Sequence, residues 1–156
     1  MRSILVFLAC TQVLGCSIFM RSIERPQAEV RNVSVASAGF TGVTGELQLD
    51  VTNPNNFGVP LSGIDWQLSV GGARAVTGRV ELSQTIPARG VAPITTSMTI
   101  DARDAIGVAS ALARGVRDYQ LSARLHFSTA VGQLDVDVQH RGTLGGGASG
   151  GLFGAR

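Results

Sequence analysis

One histidine and two aspartates crowd a short stretch near the end of the chain: His126, Asp135 and Asp137, with Arg124 beside them. An imidazole and two carboxylates are the side chains that a metal centre or a general acid–base pair would use. If the residues after Phe127 close a hairpin with Leu125 facing Val136, then Arg124 falls opposite Asp137 and His126 opposite Asp135 on the polar face. As cross-strand pairs they fix register and contribute roughly 0.2–1 kcal/mol each. A metal would need a pocket and a fourth ligand, and neither is in view. The pairs are therefore read as structural, with no metal ligand, cofactor or catalytic residue assigned. His140 continues the apolar face of the last strand and reads as a rim residue. Ser37, Ser62, Ser83 and Ser97 lack a neighbouring motif that would activate a nucleophile. All thirteen basic residues are arginine, which excludes a Schiff base and the phosphate-binding lysine of a P-loop. The chain is read as not an enzyme.

A second reactive group stands near the start. "MRSILVFLACTQVLGCS" opens with Arg2, runs through an apolar stretch from Ile4 to Leu14 and ends on a small residue before a cysteine. That is the layout of a secretory signal, and it is too short for the roughly 20 residues of a membrane-spanning helix. Val13, Leu14, Gly15 and Cys16 resemble the bacterial lipobox, in which the chain is cut before a cysteine that then carries lipid. Phe7, Leu8, Ala9 and Cys10 form a poorer competitor. A disulfide is disfavoured, because both cysteines lie in or at the edge of the segment to be removed. Cys16 is thus expected to anchor the protein to a bilayer without spanning it. Ser17, where an aspartate would resemble an inner-membrane retention signal, points to the outer membrane, facing the periplasm. Cleavage removes Arg2 and no acid, leaving twelve arginines against eleven acids. That balance argues against a nucleic-acid partner.

The elements that must position these residues are strands. With 44% hydrophobic residues, only 15% charged and twenty glycines, the composition suits a β-rich fold with many turns. Val33 and Val35 start a period-two pattern, and Leu47, Leu49 and Val51 then alternate with Gln48 and Asp50. Ile64, Trp66, Leu68 and Val70 alternate with Asp65, Gln67 and Ser69, so the one tryptophan points inward. Similar runs follow through Val76, Val80 and Leu82, then Ile94, Met98 and Ile100. Tyr119 to Phe127 and Leu134 to Val138 complete about seven strands, which predicts an antiparallel sandwich. One segment has helical spacing: Ile106, Ala109, Leu112, Ala113 and Val116, with Asp101 placed as N-cap and Asp104 in the first turn. The helix is expected to cover an open end or flank of the sandwich.

Between two of these strands lies "NPNN". Pro54 cannot donate to a ladder, and it pushes Asn53 into an extended conformation. Asn53, Asn55 and Asn56 can bond nearby backbone and tolerate left-handed conformations, so the stretch reads as a corner. "NPN" after an alternating strand, then a strand, "IPARG", a strand, a helix and two strands, resembles the late embryogenesis abundant type 2 family, or WHy domain, over residues 27–142. The resemblance implies an immunoglobulin-like or fibronectin III-like β-sandwich with one helix, a link to desiccation and other stress, Asn53, Pro54 and Asn55 as a structural family motif, and no catalytic residues.

The expected organisation is a signal peptide over residues 1–15, a lipidated Cys16 with a tether to residue 26, a sandwich over 27–142 and a glycine-rich tail over 143–156. The expected function is a non-enzymatic envelope lipoprotein that binds or shields something under water stress, its partner being the membrane through its lipid. Two alternatives stand beside it. One is a module for lipid or another apolar ligand between the sheets, in room left by Gly78 and Ala123. The other is a structural subunit of an envelope complex, docking by a sheet edge or by the 103–116 helix. The sequence assigns no oligomeric state.

Overall fold

A computed structural model describes residues 23–39, 42–73 and 76–144. The leader over residues 1–15, Cys16 and the tether up to residue 22 lie outside the described residues, as does the glycine-rich stretch from residue 145. The period-two runs form seven strands: β1 Gln27–Gly39, β2 Gly42–Thr52, β3 Val59–Val70, β4 Val76–Ile86, β5 Val91–Asp101, β6 Asp118–Thr129 and β7 Gly132–Thr143. One helix, α1 Ala102–Ala113, precedes the last two strands. The strands make two antiparallel sheets, one in the order β1-β2-β5 and the other in the order β4-β3-β6-β7. The expected β-sandwich is the fold that forms.

Each sheet buries one face against the other, with β4 meeting β5 and β1 meeting β7 across the layers. The central strands carry the core: Leu47, Leu49 and Val51 from β2, Ile64, Trp66 and Leu68 from β3, Leu121, Leu125 and Phe127 from β6. Four strands facing three leave an overhang. Along β7, Leu134, Val136 and Val138 are accordingly only half-buried. Two register shifts bend the edge strand β1, near Asn32 and near Ser37, a usual way of making an edge unfit for pairing with another chain.

Trp66 occupies the room that the small residues leave. It pairs with Gly78 on one side and Ala123 on the other, and a Cβ on Gly78 would overlap the indole ring. The space between the sheets at this level is filled by the protein's own side chain, so the expected room for an apolar ligand there is taken. Burial leaves the indole Nε1 without a hydrogen-bond partner among the described residues.

The helix lies across one end, packed on β2, β3 and β5. Its buried residues are Ala105, Val108 and Ala111, while Ile106 is 67% exposed. The stripe expected through Ile106, Ala109 and Ala113 is therefore turned away from the sandwich. A side chain on Gly71, just after β3, would run into Val116 and come within ordinary contact of Ala111, so the chain at the end of α1 lies close against the start of the β3–β4 connection. Asp101 holds the N-cap position in extended conformation, but its side chain makes no capping hydrogen bond.

Because consecutive strands reverse direction, the two ends of the sandwich differ. The β1–β2 and β3–β4 turns gather with α1 at one end, where the chain also leaves through Leu144. The start of β1, the β2–β3 corner and the β4–β5 and β6–β7 turns gather at the other, about 40 Å away for strands of this length.

Trp66→Ala should cost about 3–5 kcal/mol in urea unfolding followed by far-UV circular dichroism. Gly78→Val should cost about 1–3 kcal/mol by overpacking. Trp66→Phe, which fills most of the space and removes the unpaired N–H, should cost less than Trp66→Ala.

Candidate functional site

The corner between the sheets is built around a buried amide. The chain leaves β2 at Thr52, and Asn53 is fully buried immediately after it. Its Nδ2 donates to the carbonyls of Phe57 (2.7 Å), Pro87 (3.1 Å) and Ile86 (3.2 Å). Its Oδ1 accepts from the backbone N–H of Asn55 at 2.9 Å and from the Asn55 side-chain amide at 3.0 Å. Only an amide carries donor and acceptor at these two places, and the three carbonyls fix which way round it sits. Asn55, also buried, takes a hydrogen bond from the backbone N–H of Glu24 at 2.9 Å and returns one to the Glu24 carbonyl at 2.8 Å. Pro54 joins the two asparagines in the extended form that this geometry needs.

"IPARG" closes the same knot. The backbone N–H of Asn53 donates to Gly90 O at 2.9 Å, and that of Arg89 donates to Asn55 O at 2.8 Å. Two motifs some thirty residues apart thus make one hydrogen-bonded body. No asparagine here takes a left-handed conformation. Among the described non-glycine residues that conformation belongs to Arg89, at φ 50°, in the tight turn closed by Gly90 N–H on Pro87 O at 3.2 Å. The expected tolerance of asparagine for such backbone is unused, because side-chain bonding suffices to turn the chain. Asn56 is exposed.

The polar cluster lies on the outer face of the four-stranded sheet. Arg124 pairs with Asp137 across β6 and β7 at 2.7 Å, and the β6–β7 register sets Leu125 against Val136 and His126 against Asp135, as expected. His126 departs from expectation by being buried, at 7% exposure. Its Nδ1 lies 2.9 Å from Asp135 and its Nε2 lies 2.9 Å from Asp65. Asp65 comes from β3, and Arg79 of β4 approaches its other oxygen at 3.6 Å. The grouping of His126 with Asp135 and Asp137 therefore splits: Asp137 belongs to Arg124, and the third member around the imidazole is Asp65. Asp65 was visible in the sequence only as a polar position in an alternating strand. The β3–β6 pairing that brings it to His126 joins residues 61 apart.

The hydrogen bond to Asp135, then that to Asp65, pushes the His126 pKa up, with burial opposing them. In its protonated form the ring donates through both nitrogens, to Asp135 and to Asp65. Its chemistry here is to clamp β3, β6 and β7 in register. Among the described residues, no cluster of histidine, cysteine and acidic side chains is disposed to hold a metal ion. Beside the clamp the sheet face forms an open groove of about 690 Å³, bordered by Asp65, Arg79, Arg124 and Asp137 and floored in part by Gln67, Ser122 and Gln139. Opposite charges alternate along it, so they are satisfied by one another.

The family model of late embryogenesis abundant proteins matches residues 48–142, and the chain belongs to that family. The match runs from within β2 to the last residues of β7 and includes both halves of the asparagine knot. Among solved structures, the fold is similar to that of a candidate late embryogenesis abundant protein determined in solution, with 21% identity over 78% of this chain and 71% of that one at a TM-score of 0.61. It is similar also to a solution structure from Arabidopsis thaliana, with 18% identity over 79% and 83% of the two chains at 0.66. A crystal structure from Archaeoglobus fulgidus shares it at 10% identity over 78% and 94%, at 0.56. No curated protein sequence matches.

Asn53→Ala leaves several buried polar groups unpaired and should cost on the order of 3 kcal/mol in urea unfolding. Asn53→Asp, nearly identical in shape, should be at least as damaging, because a carboxylate would face three carbonyls. For His126, an imidazole NMR titration should give a pKa above 6.5. Since the folded-state pKa is raised, the stabilisation is complete below the unfolded-state value and is lost as pH rises through the folded one. Unfolding free energy should therefore fall as pH rises above about 6.5, and His126→Gln should flatten that slope.

Proposed function

We propose that the protein is a non-enzymatic lipoprotein of a bacterial envelope, anchored through lipid on Cys16 and facing the periplasm from the outer membrane, where its sandwich binds or shields surfaces under water stress. Membership of the late embryogenesis abundant family carries the stress-related part of this reading. The signal-like leader and the residues before Cys16 carry the anchor. The filled interior around Trp66 and the mutually satisfied charges of the outer sheet face support action by spread contact rather than at a reaction centre.

A second reading, docking to an envelope protein, is favoured by one observation. Ile106 stands exposed on α1, at the end of the sandwich opposite to the one where the chain enters, and so is directed away from an anchoring membrane.

Cells fed a clickable fatty acid should label the wild-type protein, and Cys16→Ser should lose both the label and membrane fractionation; unchanged labelling would refute the anchor. Cells lacking the protein should survive drying or osmotic shock less well, and equal survival across several regimes would refute the protective role.

A further inference from the structure

The end of the sandwich where the chain enters carries an apolar groove of about 400 Å³, lined chiefly by Ile23, Phe57, Pro60, Ala130 and Val131. Its size is within the range of sites that take small apolar ligands. One of its walls is the tip of the β6–β7 hairpin, where asparagine, aspartate or glycine usually makes the turn. Here the tip is Ala130 and Val131, and Val131 is 82% exposed. An aliphatic side chain held out at a hairpin tip contributes nothing to the core, and together with the groove it makes an exposed apolar patch of the kind that marks an interaction surface.

Position identifies the occupant. Ile23 lines the groove itself, and Cys16 lies seven residues earlier, at most roughly 25 Å along an extended chain. A lipid anchor on Cys16 thus holds this end, and not the α1 end, against the bilayer. Arg25 and Arg89 are exposed at the same end together with the acids Glu24 and Glu29, so the seat rests on its apolar surface and not on an excess of charge.

We propose that this end of the sandwich seats on the bilayer, with Val131 and the groove in contact with lipid acyl chains, so that the domain is oriented by its own surface as well as held by its anchor. The proposal rests on the anchor reading given above. The lipid supplies durable attachment, and the seat sets its geometry.

The test uses the full chain, processed in cells, purified and reconstituted into vesicles of phosphatidylethanolamine and phosphatidylglycerol. Val131→Cys is labelled with a polarity-sensitive fluorophore, and Ile106→Cys, exposed at the other end, serves as the control. Lipids carrying a nitroxide on the acyl chain should quench the probe at 131 at least twofold and leave that at 106 unchanged. Equal, weak quenching at both sites in protein that floats with the vesicles would overturn the seat alone. A probe at 131 that is shielded but unquenched, in a chain that cross-links to itself, would assign the groove to a second copy and overturn it too. Protein that does not float, and whose Cys16 reacts with maleimide, would overturn the anchor and the seat together.

Discussion

Two of the three strand connections at one end of this molecule meet at the side-chain amide of Asn53. It ties the end of β2 to the start of β3, and both to the β4–β5 turn, and through Asn55 it holds the segment before β1. The two sheets are covalently joined here by a corner that cannot belong to either ladder, so its backbone groups must be satisfied some other way. A buried amide with donor and acceptor on a rigid fork does this without a helix, a metal or a disulfide. The hydrophobic interior supplies the driving force for folding, and the knot determines which of the ways of closing the corner is kept.

That division of labour explains how the fold and the functional surfaces separate. The interior is close-packed and its small residues make way for Trp66, so nothing enters between the sheets at that level. What the sandwich presents outward differs from face to face: a ribbon of paired charges on the four-stranded sheet, an apolar hairpin tip beside the incoming chain, and an exposed isoleucine on the helix at the far end. In this late embryogenesis abundant domain the differences between the faces lie on the outside, while the interior is filled by the protein's own side chains.

Much of the fold was legible because alternation is a local property. Leu47 to Val51 and Tyr119 to Phe127 declare their buried faces with no knowledge of their neighbours, and the β6–β7 register follows from a short hairpin. Whatever depended on distant pairing was not legible. Asp65 meets His126 only through the β3–β6 ladder, and the burial of His126 follows from that meeting. The helix misled for another reason: hydrophobicity favoured Ile106, whereas the face that packs on β2, β3 and β5 carries Ala105, Val108 and Ala111. Pro54 marked the corner by itself, but nothing local to "NPN" says that its partner is "IPARG".

Hydrogen exchange at single amides tests the role of the knot most directly. The backbone N–H groups of Asn53 and Asn55, although they lie in a connection rather than a strand, should exchange as slowly as those of Leu49 and Leu125, opening only when the whole domain unfolds. Exchange at the faster rates of an ordinary surface loop, with the strands still protected, would contradict the account.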